Sequence, residues 1–408
     1  MSKETCSYCN KGKDDVSKLF RSPAKYGSNV YICDQCVTQC NNFLETAETN
    51  DRESNKLEIK YTPEELKELL DKDIVGQDHA KELLSLAVYN HYKRVNYNAT
   101  EHDVELSKSN IMLLGPSGSG KTFLISSISK LLNIPFVSVD STSLTEAGYV
   151  GDHVETIFTR LIAEANGDIE LAQRGIVFID EIDKKRSKKG TNSAGSDVSG
   201  EGVQQSLLRV LEGTTIKLEL NSNSMFSPRQ EIMFDTTNVL FIVGGAFIGL
   251  DAVINKRLSS TKSQMGFGSE AGKPIEGSLF YVEPEDLYTY GFIREFVGRF
   301  PVLIAFHDVT ETMLRRILVE PKSSILKQYQ TMFKLDNIEL EFDEDFIKSV
   351  ATTAFNRKTG ARGLRTILEK ELSSIAYRLP SIRREGFSKI IIHELGKHNF
   401  IKGQNEDI

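Results

Sequence analysis

The segment Gly115-Pro116-Ser117-Gly118-Ser119-Gly120-Lys121-Thr122 constrains this chain more than any other. It follows the pattern G-x-x-x-x-G-K-[ST] between an apolar run, Ile111 to Leu114, and a helical stretch. That context predicts a strand, a phosphate-cradling turn and a helix in succession. Three more short apolar runs, Phe136 to Val139, Ile176 to Ile179 and Val239 to Val243, alternate with helical spacing. The expected fold class is therefore α/β, a parallel sheet covered by helices on both faces.

The same residues predict a nucleotide site. Glycines let backbone N–H groups curl around phosphates, and the helix N-terminus adds its dipole. Lys121 reaches the terminal phosphates and Thr122 offers a hydroxyl to Mg2+, so ATP with Mg2+ is the expected ligand, held by Pro116 to Thr122 and by Phe123 behind them. Asp180 and Glu181 follow the run Ile176 to Ile179. At the end of a buried strand, Asp180 is placed to hold Mg2+ through water and Glu181 to polarise the attacking water, which points to hydrolysis rather than storage of ATP. Arg299 and Arg362 are candidates for stabilising the charge of phosphoryl transfer, although spacing alone reads each as a surface arginine.

At roughly 150 residues per domain, 408 residues predict two or three domains. A composition of 39% hydrophobic and 26% charged residues excludes wholesale disorder. The apolar stretch Val239 to Leu250 is about half the roughly 20 residues a bilayer requires, so no membrane span is expected. No apolar leader follows the opening residues, which predicts a reducing, cytoplasmic setting without disulfides. The predicted organisation is a small module over 1–48, a polar linker over 49–62, a large domain over 63–308 and a small α-rich domain over 309–408. In the last, Pro321 and Pro380 are expected at helix boundaries. The basic run Lys184 to Lys189 is expected to be a solvated loop.

All five cysteines fall within the first 40 residues. Cys6-x-x-Cys9 and Cys33-x-x-Cys36 are two knuckles, and four thiolates suit a closed, structural, tetrahedral Zn2+ in a ribbon or treble-like module; Cys40 is left over. Residues 1–60 carry nine Lys or Arg and nine Asp or Glu, so counterion release has little to drive and contact with protein, not nucleic acid, is expected.

These motifs, with DIVGQDHAK at 73–81, GYVG at 148–151, DVSGEGVQQ at 197–205, EFVGR at 295–299 and KTGARGLR at 358–365, resemble the ClpX family of AAA+ unfoldases almost end to end. The resemblance implies a homohexamer that unfolds protein substrates with ATP and passes them to the ClpP peptidase. A protease-independent remodelling chaperone is the alternative. It further implies that the segment Ile74 to Gln77 is the adenine-flanking box, with Ile74 and Val75 against the base, that Arg299 reaches a neighbour's ATP, and that Arg362 reports nucleotide to the small domain. Tyr149 and Val150 would line the central pore, Met265, Gly266 and Phe267 would dock on ClpP, and the zinc module would receive adaptors and substrates. Three departures stand out: the entrance-loop stretch Asn221 to Arg229 lacks the family's basic cluster, Met265 stands where the family has Ile, and Gly244-Gly245-Ala246 lacks the polar sensor that many AAA+ relatives carry at this strand end.

Overall fold

The computed structural model describes residues 5–21, 30–40, 59–98, 104–144, 154–187, 200–220, 230–263, 275 and 277–402. They divide into two compact units, Met1–Glu58 with Asn96–Leu106, and Ile59–Val95 with Ser107–Ile408. In the first, β1 (Leu19–Arg21) pairs antiparallel with β2 (Tyr31–Cys33), with Leu19 opposite Cys33. Cys6, Cys33 and Cys36 form its buried centre, with Val16, Leu19 and Ile32 packed around them.

The second unit opens with α1 (Pro63–Asp71), which starts where it does because Thr62 and Glu65 exchange side-chain and backbone hydrogen bonds in a capping box. α2 (Asp78–Asn98) follows. The parallel sheet is built from β3 (Ile111–Leu114), β4 (Phe136–Asp140), β5 (Ile176–Asp180), β8 (Leu240–Gly245) and β9 (Val302–Ala305), in the order β4-β5-β8-β3-β9. α3 (Lys121–Leu132), α4 (Glu155–Glu164), α5 (Glu201–Glu212) and α6 (Leu250–Ser263) come between its strands, as does a hairpin of β6 (Thr215–Leu220) and β7 (Gln230–Asp235). Every residue of β3 and β8 is buried, as strands covered on both faces must be. After β3 the chain crosses to the far edge at β4 and returns strand by strand. This reversal opens a crevice at the carboxyl end of β3, where ligands of such sheets bind.

The chain continues in α7 (Glu311–Val319), α8 (Ile325–Leu335), α9 (Glu344–Asn356) and α10 (Gly360–Arg384). A small sheet of β10 (Glu339–Phe342), β11 (Phe387–Glu394) and β12 (Lys397–Lys402) joins them around a separate apolar core that includes Phe333, Phe346, Leu368 and Ile390. Here the expectation for Pro380 fails, because α10 runs through it to Arg384. The lost backbone hydrogen bond is offset by burial on either side: Leu372, Ile375, Leu379 and Ile382 continue one apolar stripe into the core. The described part of the basic run, Lys184 to Ser187, is also less solvated than its composition predicts, while Lys188 and Lys189 lie outside the described residues. Lys185 donates to the Leu144 carbonyl at 3.1 Å and the Arg186 guanidinium lies 4.3 Å from the centre of the Tyr290 ring.

If the stripe beyond Pro380 holds the last turns of α10, Ile382→Ala, at a site 2% exposed, should cost about 2–5 kcal/mol. Tyr377→Ala, at a site 89% exposed, should change stability by less than about 0.5 kcal/mol. Denaturant titration followed by hydrogen exchange over 364–384 separates the two.

Candidate functional site

At the carboxyl edge of the sheet, register places Leu114 beside Gly245 and Ile179 beside Val243, so the loops after β3, β5 and β8 emerge together. They border a cavity of about 700 Å³. Ser117 to Phe123, Asp180 and Glu181 line it from the sheet, Ile74 and Val75 from the segment before α2, and Arg362 from α10. Pro116 does not line the cavity; its carbonyl instead accepts a hydrogen bond from Lys121. Arg299 lies elsewhere, half-exposed and ion-paired with Glu212 at the end of α5. Tyr149, Val150, Met265, Gly266, Phe267 and the stretch 221–229 lie outside the described residues.

Lys121 is 7% exposed, and its ammonium donates to the carbonyls of Gly115 at 2.7 Å and Pro116 at 3.0 Å. Burial pulls its pKa down to about 8, with Arg362 adding to the effect and Asp180 and Asp183 opposing it. One N–H of the ammonium remains for an anion in the cavity. Thr122 donates its hydroxyl to Asp180 Oδ2 at 3.1 Å, while Asp180 Oδ1 accepts the Glu181 N–H at 2.8 Å. A hydroxyl beside a carboxylate is the hard oxygen donor set that Mg2+ takes together with water and phosphate.

Glu181 sits in the left-handed region, φ 58° and ψ 28°, which costs a non-glycine residue on the order of 1 kcal/mol or more. Three contacts hold it there: the hydrogen bond to Asp180, Ser141 Oγ donating to its carbonyl at 2.8 Å, and the Lys184 N–H donating to the same carbonyl at 3.0 Å. Its carboxylate pairs with Lys184. Sequence reasoning assigned no role to Ser141, or to Asp183 and Arg365, which also line the cavity. Asp183 accepts the N–H groups of Ala246 and Phe247, each at 3.2 Å. That contact fills the space beside Gly245, and the Phe178 ring fills the space beside Gly244. A Cβ on Gly244 would come within 2.7 Å of the Phe178 ring, and one on Gly245 would collide with the Asp183 carboxylate, so neither position has room for a polar sensor.

Gly118 carries the contact between the sheet and α10. Its φ is +78°, and a Cβ there would stand 3.1 Å from the Thr359 carbonyl oxygen and 3.3 Å from Gly360 Cα. Only a glycine lets the phosphate loop and the start of α10 approach so closely.

In the first unit the Sγ atoms of Cys6, Cys9, Cys33 and Cys36 lie within 4.8 Å of one another, with Cys6 to Cys36 at 3.9 Å and Cys9 to Cys33 at 3.6 Å. A tetrahedral zinc with Zn–S bonds of about 2.3 Å has sulfur–sulfur edges of about 3.8 Å, close to the two distances just given, so the four thiols are gathered as Zn2+ requires. Burial opposes ionisation of Cys6, yet N–H donors from Cys9, Tyr8 and Cys33 outweigh it and bring the thiol down to about 6. Burial and the crowding of Cys33, Cys9 and Cys6 push Cys36 up, a repulsion that a central dication removes. Cys40 is half-buried and is not one of the four.

Residues 4–46 match the ClpX C4-type zinc finger, residues 106–303 the AAA domain (Cdc48 subfamily), and residues 309–382 the C-terminal, D2-small domain, of ClpB protein. The ATP-dependent Clp protease ATP-binding subunit ClpX of Treponema denticola is 45% identical over 393 residues, spanning 95% of this chain and 92% of that relative. The chain belongs to the ClpX family. As a ClpX-family AAA+ protein it is an ATP hydrolase that uses ATP with Mg2+, and its zinc finger takes Zn2+. Among the described residues, no helix is long and apolar enough to cross a membrane.

Lys121 gives the site a pH signature. Phosphate in the cavity favours the charged amine, so its pKa rises on binding; above about pH 8 binding then takes up a proton and affinity falls as pH rises, approaching about tenfold per unit. Titrating ATP between pH 7.5 and 9.5 in buffers of different ionisation enthalpy should show both effects. Constant affinity with no proton uptake would mean that Lys121 is already fully charged before nucleotide binds, or does not meet the phosphates.

Proposed function

We propose that this chain is the ATP-driven motor of a cytoplasmic protease: a homohexameric unfoldase that pulls protein substrates through its central pore and delivers them to the ClpP peptidase. The observation that carries this reading is the composition of the cavity. Lys121, Asp180 and Glu181 come from the sheet while Arg362 comes from α10, so one bound nucleotide is gripped by both parts of the unit. With Gly118 against Thr359 and Gly360, gain or loss of the γ-phosphate is felt directly at the first turn of α10. That is the coupling a motor needs.

Within the site, Lys121 and the N–H groups of the loop bind and orient the phosphates, and Thr122 with Asp180 hold Mg2+, which when bound supplies charge neutralisation between the phosphates. Glu181 accepts the proton of the attacking water, a role that requires it to leave Lys184, and its left-handed backbone aims the carboxylate from the end of β5. Arg299 is outside the cavity formed by its own chain and half-exposed. A guanidinium in that position serves a neighbour's phosphate, making hydrolysis depend on assembly. Tyr149 and Val150 grip substrate, with Tyr149 supplying a broad amphipathic surface that needs no sequence readout. Met265-Gly266-Phe267 is the apolar plug for the peptidase, and the zinc module receives adaptors. A reducing compartment suits four thiolates gathered for a metal rather than paired as disulfides.

Glu181→Gln should bind ATP but lose turnover by about 10²–10⁴-fold. Arg299→Ala should lose about 10³–10⁵-fold while still binding nucleotide. Tyr149→Ala should hydrolyse ATP yet fail to unfold a stably folded fluorescent substrate. ATPase assays alongside loss of substrate fluorescence decide the matter; unfolding by Tyr149→Ala at the unmodified rate would refute the pore assignment, and normal turnover by Glu181→Gln would remove its role as base.

A further inference from the structure

Lys81 is among the most deeply buried charged side chains of the second unit, 2% exposed, yet no step above uses it. It projects from the first turns of α2, and its ammonium is ion-paired with Asp71 and Asp78. It also donates to the main-chain carbonyl of Ile74 at 3.2 Å. An ammonium taken out of water is expensive, so contacts that satisfy it are firmly held. The carbonyl is the contact with consequences.

Every described peptide bond is trans, and a planar trans peptide points its C=O and its N–H in opposite directions. With the Ile74 carbonyl drawn towards Lys81, the Val75 N–H faces the other way. Ile74 and Val75 line the nucleotide cavity and Lys81 does not. The N–H groups of Asp73 and Ile74 are both satisfied by the Leu70 carbonyl, at 3.1 and 2.8 Å, whereas that of Val75 has no hydrogen-bond partner among the described residues. Val75 is only 8% exposed, and buried N–H groups are rarely left without an acceptor. The other end of the segment is fixed too: the Gln77 side-chain amide donates to the His307 carbonyl and accepts the His307 N–H, both at 2.9 Å.

We propose that Lys81 is a specificity-determining positioning residue, which by anchoring the Ile74 carbonyl aims the Val75 N–H at a ring-nitrogen acceptor of the adenine base. The inference rests on the reading of Ile74 and Val75 as the base pocket. Lys81 itself never touches nucleotide; it acts through one peptide plane.

The test pairs changes in the protein with changes in the base. Steady-state hydrolysis of ATP, 1-deaza-ATP, 3-deaza-ATP and 7-deaza-ATP by the assembled full-length chain asks which ring nitrogen is read. In the unmodified protein one analogue should show a KM raised roughly three- to tenfold over ATP, the worth of one hydrogen bond, with kcat unchanged. In Lys81→Met the KM for ATP should rise by a similar factor and the difference between ATP and that analogue should vanish. Lys81→Arg, which keeps a donor, should retain the difference. If Lys81→Met does not assemble, the same ratio is read on Lys81→Leu, which likewise has no donor for the Ile74 carbonyl; the same collapse is expected. Discrimination that survives in the Met or Leu variant overturns the role of Lys81 and leaves the base pocket standing. An unmodified protein that treats all four nucleotides alike overturns the hydrogen bond to the base, and this proposal with it.

Discussion

The second unit is organised around one buried positive charge. Lys121 leaves solvent at the first residue of α3, and its ammonium is compensated by two carbonyls of the loop it terminates. Such a group is tolerated only where it also has an anion to meet, because an uncompensated buried ammonium costs several kcal/mol. The surrounding structure follows from that requirement. The sheet reverses its strand order beside β3 to open a crevice, and the carboxylates of Asp180 and Asp183 face the amine from β5 and the turn after it. Arg362 arrives from a helix far along the chain. The cavity is thereby built for a polyanion with a cation rather than for a neutral ligand.

A second constraint is steric. Gly118, Gly244 and Gly245 each stand where a side chain would strike something the site requires: the start of α10, the Phe178 ring and the Asp183 carboxylate. The loop after β8 does its work through backbone N–H groups that receive Asp183, so the strand end needs no polar side chain of its own to tie it to the end of β5. The two carboxyl-terminal strand ends flanking the nucleotide are thus held by main-chain contacts that a local sequence pattern does not encode.

That difference explains what could be read from the chain. The phosphate loop, the acid pair after β5 and the two cysteine knuckles were legible because each is a short run whose spacing is its chemistry, and the structure gathers the first two in one cavity and the four sulfurs in another place. β3, β5 and β8 were legible as apolar runs because both faces are buried. β9 escaped notice because it starts beside Pro301 with two half-buried residues, and β12 because it is an edge strand that is mostly exposed. Pro380 misled because a local rule was overridden by the core contacts of Leu379 and Ile382. The motif at 73–81 contains Gln77 and Lys81, but their contacts, like that of Ser141, were illegible for another reason: each acts on the main chain of a different segment, in the case of Gln77 across 230 residues. Resemblance to the family separated Arg299 from Arg362 where spacing did not, and the cavity contains one of them and not the other.

The most direct test of the account is degradation of an unstructured, untagged protein by the assembled chain, with and without ClpP from the same organism, with Glu181→Gln as control. An unstructured substrate bypasses the altered entrance loop and isolates the coupling of ATP turnover to translocation. The account predicts degradation that needs both proteins and ATP and is lost in the control. Robust ATP turnover with an active peptidase but no degradation would contradict it and leave the chain as a remodelling chaperone that works without a protease.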